Sequence, residues 1–198
     1  MLRSKKIAIT GGIAVGKSTV CDLLEQLGGY VIRSDEIVHS ILTPKTQAGK
    51  QIIELLGEQI ILKDRLDRKK IAEIAFEDSS ILNSLEKIIH PVVINDINEK
   101  ISYIAGKYPC IFVEIPLLFE IGQADNFDYV ITVASKEANC IKRLAKKGIS
   151  KREYKQRMLH QINPQVKAQK ADFVIENDSS LDELKEEVHK LYGNLLTV

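Results

Sequence analysis

Cysteine is scarce and odd in number. Cys21, Cys110 and Cys140 are the only three, and none stands in a C-x-x-C or zinc-ligand spacing. That argues against a disulfide-framed secreted fold and points to reduced thiols in a cytoplasmic chain, most of them packing residues. Glycine (11) and proline (5) are too few for a collagen-like or low-complexity chain. Neither sign of charge dominates. Lys and Arg number 28 against 27 Asp and Glu, whereas a general nucleic-acid coat needs a large basic excess. No apolar run approaches the ~20 residues that cross a bilayer. The basic start Met1-Leu2-Arg3-Ser4-Lys5-Lys6 leads into Ile7-Ala8-Ile9. Gly11, Gly12, Gly16 and Lys17 then break the run before a signal-peptide core can form. Internal repeats are absent too. What remains is 198 residues, 44% of them hydrophobic, enough for one compact domain with small insertions and a real core.

Strand and helix patterns alternate. Five short, nearly continuous apolar runs read as strands: Ile7–Thr10, Tyr30–Ile32, Cys110–Ile115, Tyr129–Val133 and Phe173–Ile175. Continuous rather than alternating runs favour central parallel strands covered by helices on both faces. After the first run, Val20, Leu23, Leu24 and Leu27 share a helical face that stops at Gly28-Gly29. Between Asp35 and Pro109 no strand is expected. Helical patterns fill that stretch: Ile52, Leu55, Leu56; then Ile71, Ile74, Ala75; then Ile81, Leu82, Leu85, Ile88, Ile89. His90-Pro91 is expected to interrupt the last of these, with Pro91 opening the next helix. A C-terminal helix is expected over Leu181–Leu196, burying Leu184, Val188 and Leu191.

Gly11-Gly12-Ile13-Ala14-Val15-Gly16-Lys17-Ser18 matches G-x-x-x-x-G-K-[ST] between a strand and a helix. Its glycines let the backbone wrap a phosphate. Successive N–H groups and the helix N-terminus face the anion. Lys17 reaches the β- and γ-phosphates, and the Ser18 hydroxyl suits Mg²⁺ beside the nucleotide. N-K-x-D and D-x-x-G strings, which a GTPase would carry, are missing. The size and insertions fit a small kinase of the nucleoside-monophosphate type. Asp35 ends the second strand, on the side where open parallel sheets bind ligands. Spacing alone leaves it either a base for an acceptor hydroxyl or a helix N-cap. Glu114, at the end of the third strand, reads as a Walker-B-like carboxylate or an ordinary polar terminus. Residues 136–170 carry Lys142, Arg143, Lys146, Lys147, Lys151, Arg152, Lys155 and Arg157. Arg143, Lys146 and Lys147 share a helix face, which suits a basic lid or a solvated helix.

Several strings together make the chain resemble the dephospho-CoA kinase family: Ile9–Ile13, Gly16–Val20 including Thr19, Ser34–Val38, Leu66-Asp67-Arg68, His90-Pro91, Pro116–Glu120, Arg143-Leu144, Arg157 with Gln161, and Ala171–Asn177. The resemblance runs over essentially the whole chain. It implies ATP-dependent phosphorylation of the ribose 3′-hydroxyl of dephospho-CoA. It also implies an α/β fold of the P-loop nucleoside triphosphate hydrolase type, three-layered around a five-stranded parallel sheet, with a helical acceptor-binding insertion and a lid. On this chain the core is expected at 1–35, 108–135 and 171–198, the insertion at 36–107 and the lid at 136–170. The resemblance makes Asp35 the base or hydroxyl-orienting group and puts Arg68 and His90 on the acceptor side. Pro116, Leu117 and Leu118 become the floor between substrates, Arg143 the lid arginine, and Asn177 a neighbour of the adenine. It implies ATP, Mg²⁺ and dephospho-CoA as partners; no obligate protein partner is evident, and the balanced charge and lack of a long apolar run leave no nucleic-acid or membrane partner expected. Other hydroxyl acceptors, or a nucleotide-binding module without turnover, are the alternatives.

Four positions depart from the family pattern. Ala14-Val15 replaces the usual Gly-Ser. Ala14 is expected to need no strongly glycine-only φ, and Val15 removes a hydroxyl. Cys140 stands for a common Gln, and Lys147 for a second Arg, keeping the charge but losing the bidentate fork.

Overall fold

The computed structural model describes residues 4–197. Met1, Leu2 and Arg3 of the basic start lie outside them. The chain divides into two compact units, one running to Ile32 and resuming at Ile104, the other covering Arg33–Tyr103.

The first unit is built on five strands, β1 (Lys5–Thr10), β2 (Tyr30–Arg33), β5 (Cys110–Glu114), β6 (Tyr129–Ala134) and β7 (Phe173–Glu176). They form a parallel sheet in the order β2-β5-β1-β6-β7. The central strand β1 pairs in parallel with β5 (Ile7 opposite Phe112) and with β6 (Ile9 opposite Ile131). Ile7, Ala8 and Ile9 are all fully buried, so both sheet faces are covered. That is why these strands read as continuous apolar runs. Each such isoleucine contributes about 1.5–3 kcal/mol through burial. On one face, Ile7, Ile9, Phe112 and Ile131 pack against Val20 and Leu24 of α1 (Lys17–Gln26) and Val188 and Leu195 of α9 (Leu181–Thr197). Cys140 and Leu144 of α6 (Glu137–Ala145) and Tyr154 of α7 (Lys151–Met158) belong to the same core. The segment 136–170, which also holds α8 (Pro164–Lys170), is thus part of the sheet's unit.

The second unit contains α2 (Ser34–Ile41), α3 (Gln47–Leu56), α4 (Arg68–Glu77) and most of α5 (Ser79–Ile104). Its own core includes Leu42, Ile52, Leu56, Ile60, Leu66, Ile71 and Leu85. Two expectations fail here. The stretch does hold strands, β3 (Ile61–Leu62) paired antiparallel with β4 (Arg65–Leu66). Two residues per strand are too few for an alternating pattern, and the turn uses Lys63 at φ 56 rather than a signalling glycine. His90-Pro91 does not end a helix either: α5 passes through Pro91 unbroken. Proline removes its own N–H bond to the preceding turn and crowds the carbonyl one turn back, a local cost that packing on both sides can offset. Leu85 before it and Val93 and Ile97 after it are all buried, so burial on both sides of the proline favours keeping the helix whole.

Candidate active site

The phosphate loop leaves the carboxyl end of β1 and ends at Gly16, whose φ of 103 caps α1 in the left-handed region. A Cβ on Gly16 would stand 2.0 Å from Asn177 Nδ2, and one on Gly11, at φ 140, would stand 2.3 Å from the Val133 carbonyl oxygen. Both positions therefore demand glycine for space as well as conformation. The start of α1 carries no side-chain cap and no acid in its first turn. A helix end built this way keeps its N–H groups and positive pole for an anion. Lys17, the first residue of α1, folds back and donates to the Gly11 and Gly12 carbonyls at 3.1 and 2.8 Å. Ser18 and Thr19 follow it on the exposed side of the helix. Ile13 and Ala14 are half-buried and pack against the main core beside buried Val15.

Ala14 corrects one expectation. Its φ is 59, in the left-handed region, so the alanine occupies a conformation that the family's glycine would adopt without strain, at about 1–2 kcal/mol.

Behind the loop stands a hydrogen-bonded frame. Arg143 on α6 donates through Nη1 to the Ala14 and Val15 carbonyls at 3.1 and 3.0 Å, and to Ser135 Oγ at 3.2 Å. Its Nη2 donates to the Asn177 carbonyl at 2.7 Å. Asn177, just past β7 and buried, gives its own side-chain amide to the Val15 carbonyl at 2.8 Å. In a trans peptide the N–H points away from the C=O. Drawing the carbonyls of Ala14 and Val15 toward Arg143 and Asn177 therefore turns the N–H groups of Val15 and Gly16 the other way, as a phosphate cradle requires.

The frame is pinned by Asp178. One carboxylate oxygen accepts from Ser135 Oγ, Lys136 N and Asn139 Nδ2, all at 2.8–2.9 Å. Burial raises the Asp178 pKa, but these hydrogen bonds outweigh it and hold the carboxyl below its ordinary value. Cys140, one turn before Arg143 near this frame, is buried, and burial pushes its thiol up, away from reactivity.

At the exit of β5, Pro116 and Leu117 are half-buried and Leu118 is fully buried. The Pro116 carbonyl accepts from Thr10 Oγ1 at 3.1 Å and from Lys167 Nζ at 2.9 Å. Lys167, on α8, is fully buried and pairs with Glu120 at 2.7 Å. Glu114 closes β5 with only 7% of its surface exposed.

In the second unit, Asp35 is exposed and lies second in α2. Arg33 takes the cap position, so Asp35 is not the N-cap. Arg68 opens α4 behind an Asp67 cap, and its Nη1 lies 3.3 Å from His39 Nδ1. His90 is half-buried on α5. The structure thus ties Ala14, Val15, Arg143 and Asn177 into one network and Lys17 to Gly11 and Gly12. Asp35, Arg68 and His90 all belong to the other unit, and no hydrogen bond joins them. Ser135, Asn139, Asp178 and the Glu120–Lys167 pair escaped sequence reasoning. Glu120 stood inside a recognised string, and Lys167 looked like one more lysine of a polar segment.

A parallel sheet with this strand order and a phosphate loop at the end of β1 defines a P-loop nucleoside triphosphate-binding protein. A relative named dephospho-CoA kinase from Protochlamydia amoebophila is 36% identical over 199 residues, covering 98% of both chains. A solved structure from Thermus thermophilus superimposes with a TM-score of 0.82 at 31% identity, covering 98% of each chain. Dephospho-CoA kinase from Campylobacter jejuni gives 0.73 at 31% identity, covering 97% of each. The family profile described as dephospho-CoA kinase matches residues 5–183, and the chain belongs to that family.

Proposed function

We propose that the chain transfers the γ-phosphoryl of ATP to the ribose 3′-hydroxyl of dephospho-CoA, giving CoA and ADP in the final step of coenzyme A biosynthesis. The observation that carries this is a complete phosphate loop, held from behind by Arg143 and Asn177, in a chain matched to the family over residues 5–183. The bond from the γ-phosphorus to its bridging oxygen breaks as the acceptor oxygen bonds to that phosphorus. Asp35 takes the proton of the acceptor hydroxyl. Lys17 leaves the Gly11 and Gly12 carbonyls to meet the β- and γ-phosphates. Because phosphoryl transfer is catalysed mainly by positioning and charge cancellation, Arg143 contributes by fixing the loop amides. Asn177 does the same, and its place beside the adenine rests on the family resemblance.

Arg68, His90 and the Pro116–Leu118 floor bind the acceptor. No group of three or more His, Cys, Asp or Glu able to hold a metal exists among the described residues. Mg²⁺ needs no such group, because it binds through one or two protein oxygens plus phosphates and waters. Ser18, exposed in the first turn of α1, would hold it, and the ion would neutralise charge on the phosphates. Cys21, Cys110 and Cys140 are buried and outside any disulfide, which suits a reducing cytoplasm. No helix among the described residues is long and apolar enough to cross a membrane.

The test is ADP release with Mg²⁺, ATP and dephospho-CoA, beside adenosine, shikimate and gluconate as acceptors. Turnover with dephospho-CoA alone is expected. In Asp35→Asn it should fall at least ~100-fold, the usual contribution of a positioned base, with ATP binding kept. ATP binding without turnover on dephospho-CoA refutes the proposal.

A further inference from the structure

Three basic side chains of the second unit converge without a carboxylate among them. His39 Nε2 lies 3.4 Å from Arg65 Nη1, and His39 Nδ1 lies 3.3 Å from Arg68 Nη1. They come from α2, β4 and the first residue of α4. The β3–β4 hairpin and the Asp67 cap of α4 fix this geometry: Leu66 is buried and its N–H donates to the Leu42 carbonyl, and Asp67 Oδ1 accepts from Lys69 and Lys70. Among the described residues neither guanidinium has an acidic partner within ion-pair distance.

Hydrogen-bond chemistry leaves this cluster incomplete. A guanidinium only donates, and a neutral imidazole has one acceptor nitrogen. One of the two arginines therefore points a donor at the N–H of His39. A protonated imidazole would face donors on both sides. An anion with several acceptor oxygens, seated among the three, would accept from all of them.

We infer that His39, Arg65 and Arg68 form a binding site for a phosphate-ester anion, and that its occupant is the diphosphate of the acceptor. The second half rests on the proposed function. Asp35 and His39 stand four residues apart on α2, so they share a face one turn apart. One helical turn is about 5.4 Å. The 5′-phosphate and the 3′-hydroxyl of one ribose are separated by a comparable span. An acceptor whose diphosphate sits on His39, Arg65 and Arg68 thus brings its 3′-hydroxyl to Asp35. Arg65 and His39 become specificity residues: they select acceptors carrying a diphosphate over bare nucleosides.

Two measurements test this. In the first, the phosphate loop is saturated with Mg²⁺ and a non-hydrolysable ATP analogue. Inorganic pyrophosphate is then titrated while the imidazole resonances are followed by NMR, with His39 assigned from His39→Gln. A saturable shift of His39 is expected, weakened about ten- to a hundred-fold in Arg65→Ala by the loss of one charge-assisted contact and partly restored in Arg65→Lys. In the second, the KM for dephospho-CoA should rise about tenfold or more in Arg65→Ala and in His39→Gln. The KM for ATP should not, and the rise should shrink as salt screens the site. Adenosine, which has no diphosphate, should be used equally poorly by wild type and variants. Unmoved His39 resonances at saturating pyrophosphate overturn the site. An Arg65-dependent shift with an unchanged KM for dephospho-CoA overturns the acceptor as its occupant and leaves free phosphate. Absence of wild-type turnover with dephospho-CoA would instead refute the proposed function, while the pyrophosphate titration still reads the cluster.

Discussion

Replacing either member of the Glu120–Lys167 pair should destabilise the protein, and the two losses should be unequal. The Lys167 side chain is 0% exposed and that of Glu120 is 15% exposed. Glu120→Met leaves the ammonium fully buried with one acceptor, the Pro116 carbonyl at 2.9 Å. Removing one partner of a buried pair costs about 3–5 kcal/mol because it strands a charge. Lys167→Met leaves a carboxylate whose Oε1 still accepts from the Ile162 N–H at 2.9 Å, with Oε2 buried, on a side chain that is 15% exposed rather than fully enclosed. Its cost should be smaller, about 2–3 kcal/mol. The double variant, with two methionines of similar length, strands no charge and gives up only the acceptor of the Ile162 N–H, so it should be more stable than Glu120→Met alone. At about 2–4 °C per kcal/mol for a chain of this size, Glu120→Met should lower Tm by about 6–20 °C. Thermal melts and urea titrations of the four proteins at neutral pH measure the cycle. Equal single losses, or a double loss equal to their sum, would refute the view that Lys167 is a buried charge held by Glu120. In that case the segment from α7 to α8 is held by its apolar contacts alone.

The phosphate loop and its frame supply three further tests. Gly16→Ala puts a methyl 2.0 Å from Asn177 Nδ2 at φ 103, so ATP affinity measured by calorimetry should fall at least ~100-fold, about 3 kcal/mol or more of lost anion contacts and strain; near-normal affinity would contradict the close approach. Ala14→Gly relieves about 1–2 kcal/mol of left-handed strain but returns about 0.4–1 kcal/mol of unfolded-state entropy, so the urea midpoint should stay level or rise slightly, and a clear drop would contradict the φ of 59. Asp178, like Asp78 and Glu183, has a lowered pKa; its stabilising effect is therefore complete above the ordinary carboxylate range near 3.9 and is lost as pH falls through the depressed folded value. Asp178→Asn should be less stable than wild type at pH 7 and flatten the acid limb of the stability profile, and a limb of unchanged steepness would sink the assignment.

The motif half of the site was legible because it is local. Gly11 to Ser18 fixes its own geometry, and the strands before and after it announce themselves by being buried on both faces. The frame half was not, because its partners meet from far along the chain. Arg143 and Lys167 lie in one basic segment with Lys142, Lys146, Lys147 and Lys151, and charge patterning treats them alike. Their fates differ because of acceptors elsewhere: the Ala14 carbonyl, 129 residues from Arg143, and the Pro116 carbonyl, 51 residues from Lys167. Asn177 meets Val15 across 162 residues. The same reasoning explains the failures in the other unit. Pro91 breaks helices in isolation, yet burial at Leu85, Val93 and Ile97 offsets that local cost. Leu62 and Arg65 pair as strands because the hairpin they close seats Leu66 in a core formed by α3, α4 and α5. Local sequence specifies where a phosphate can bind. Long-range acceptors decide which cations turn inward to hold that place rigid, so loss of Arg143 should loosen the loop without touching any residue of the motif.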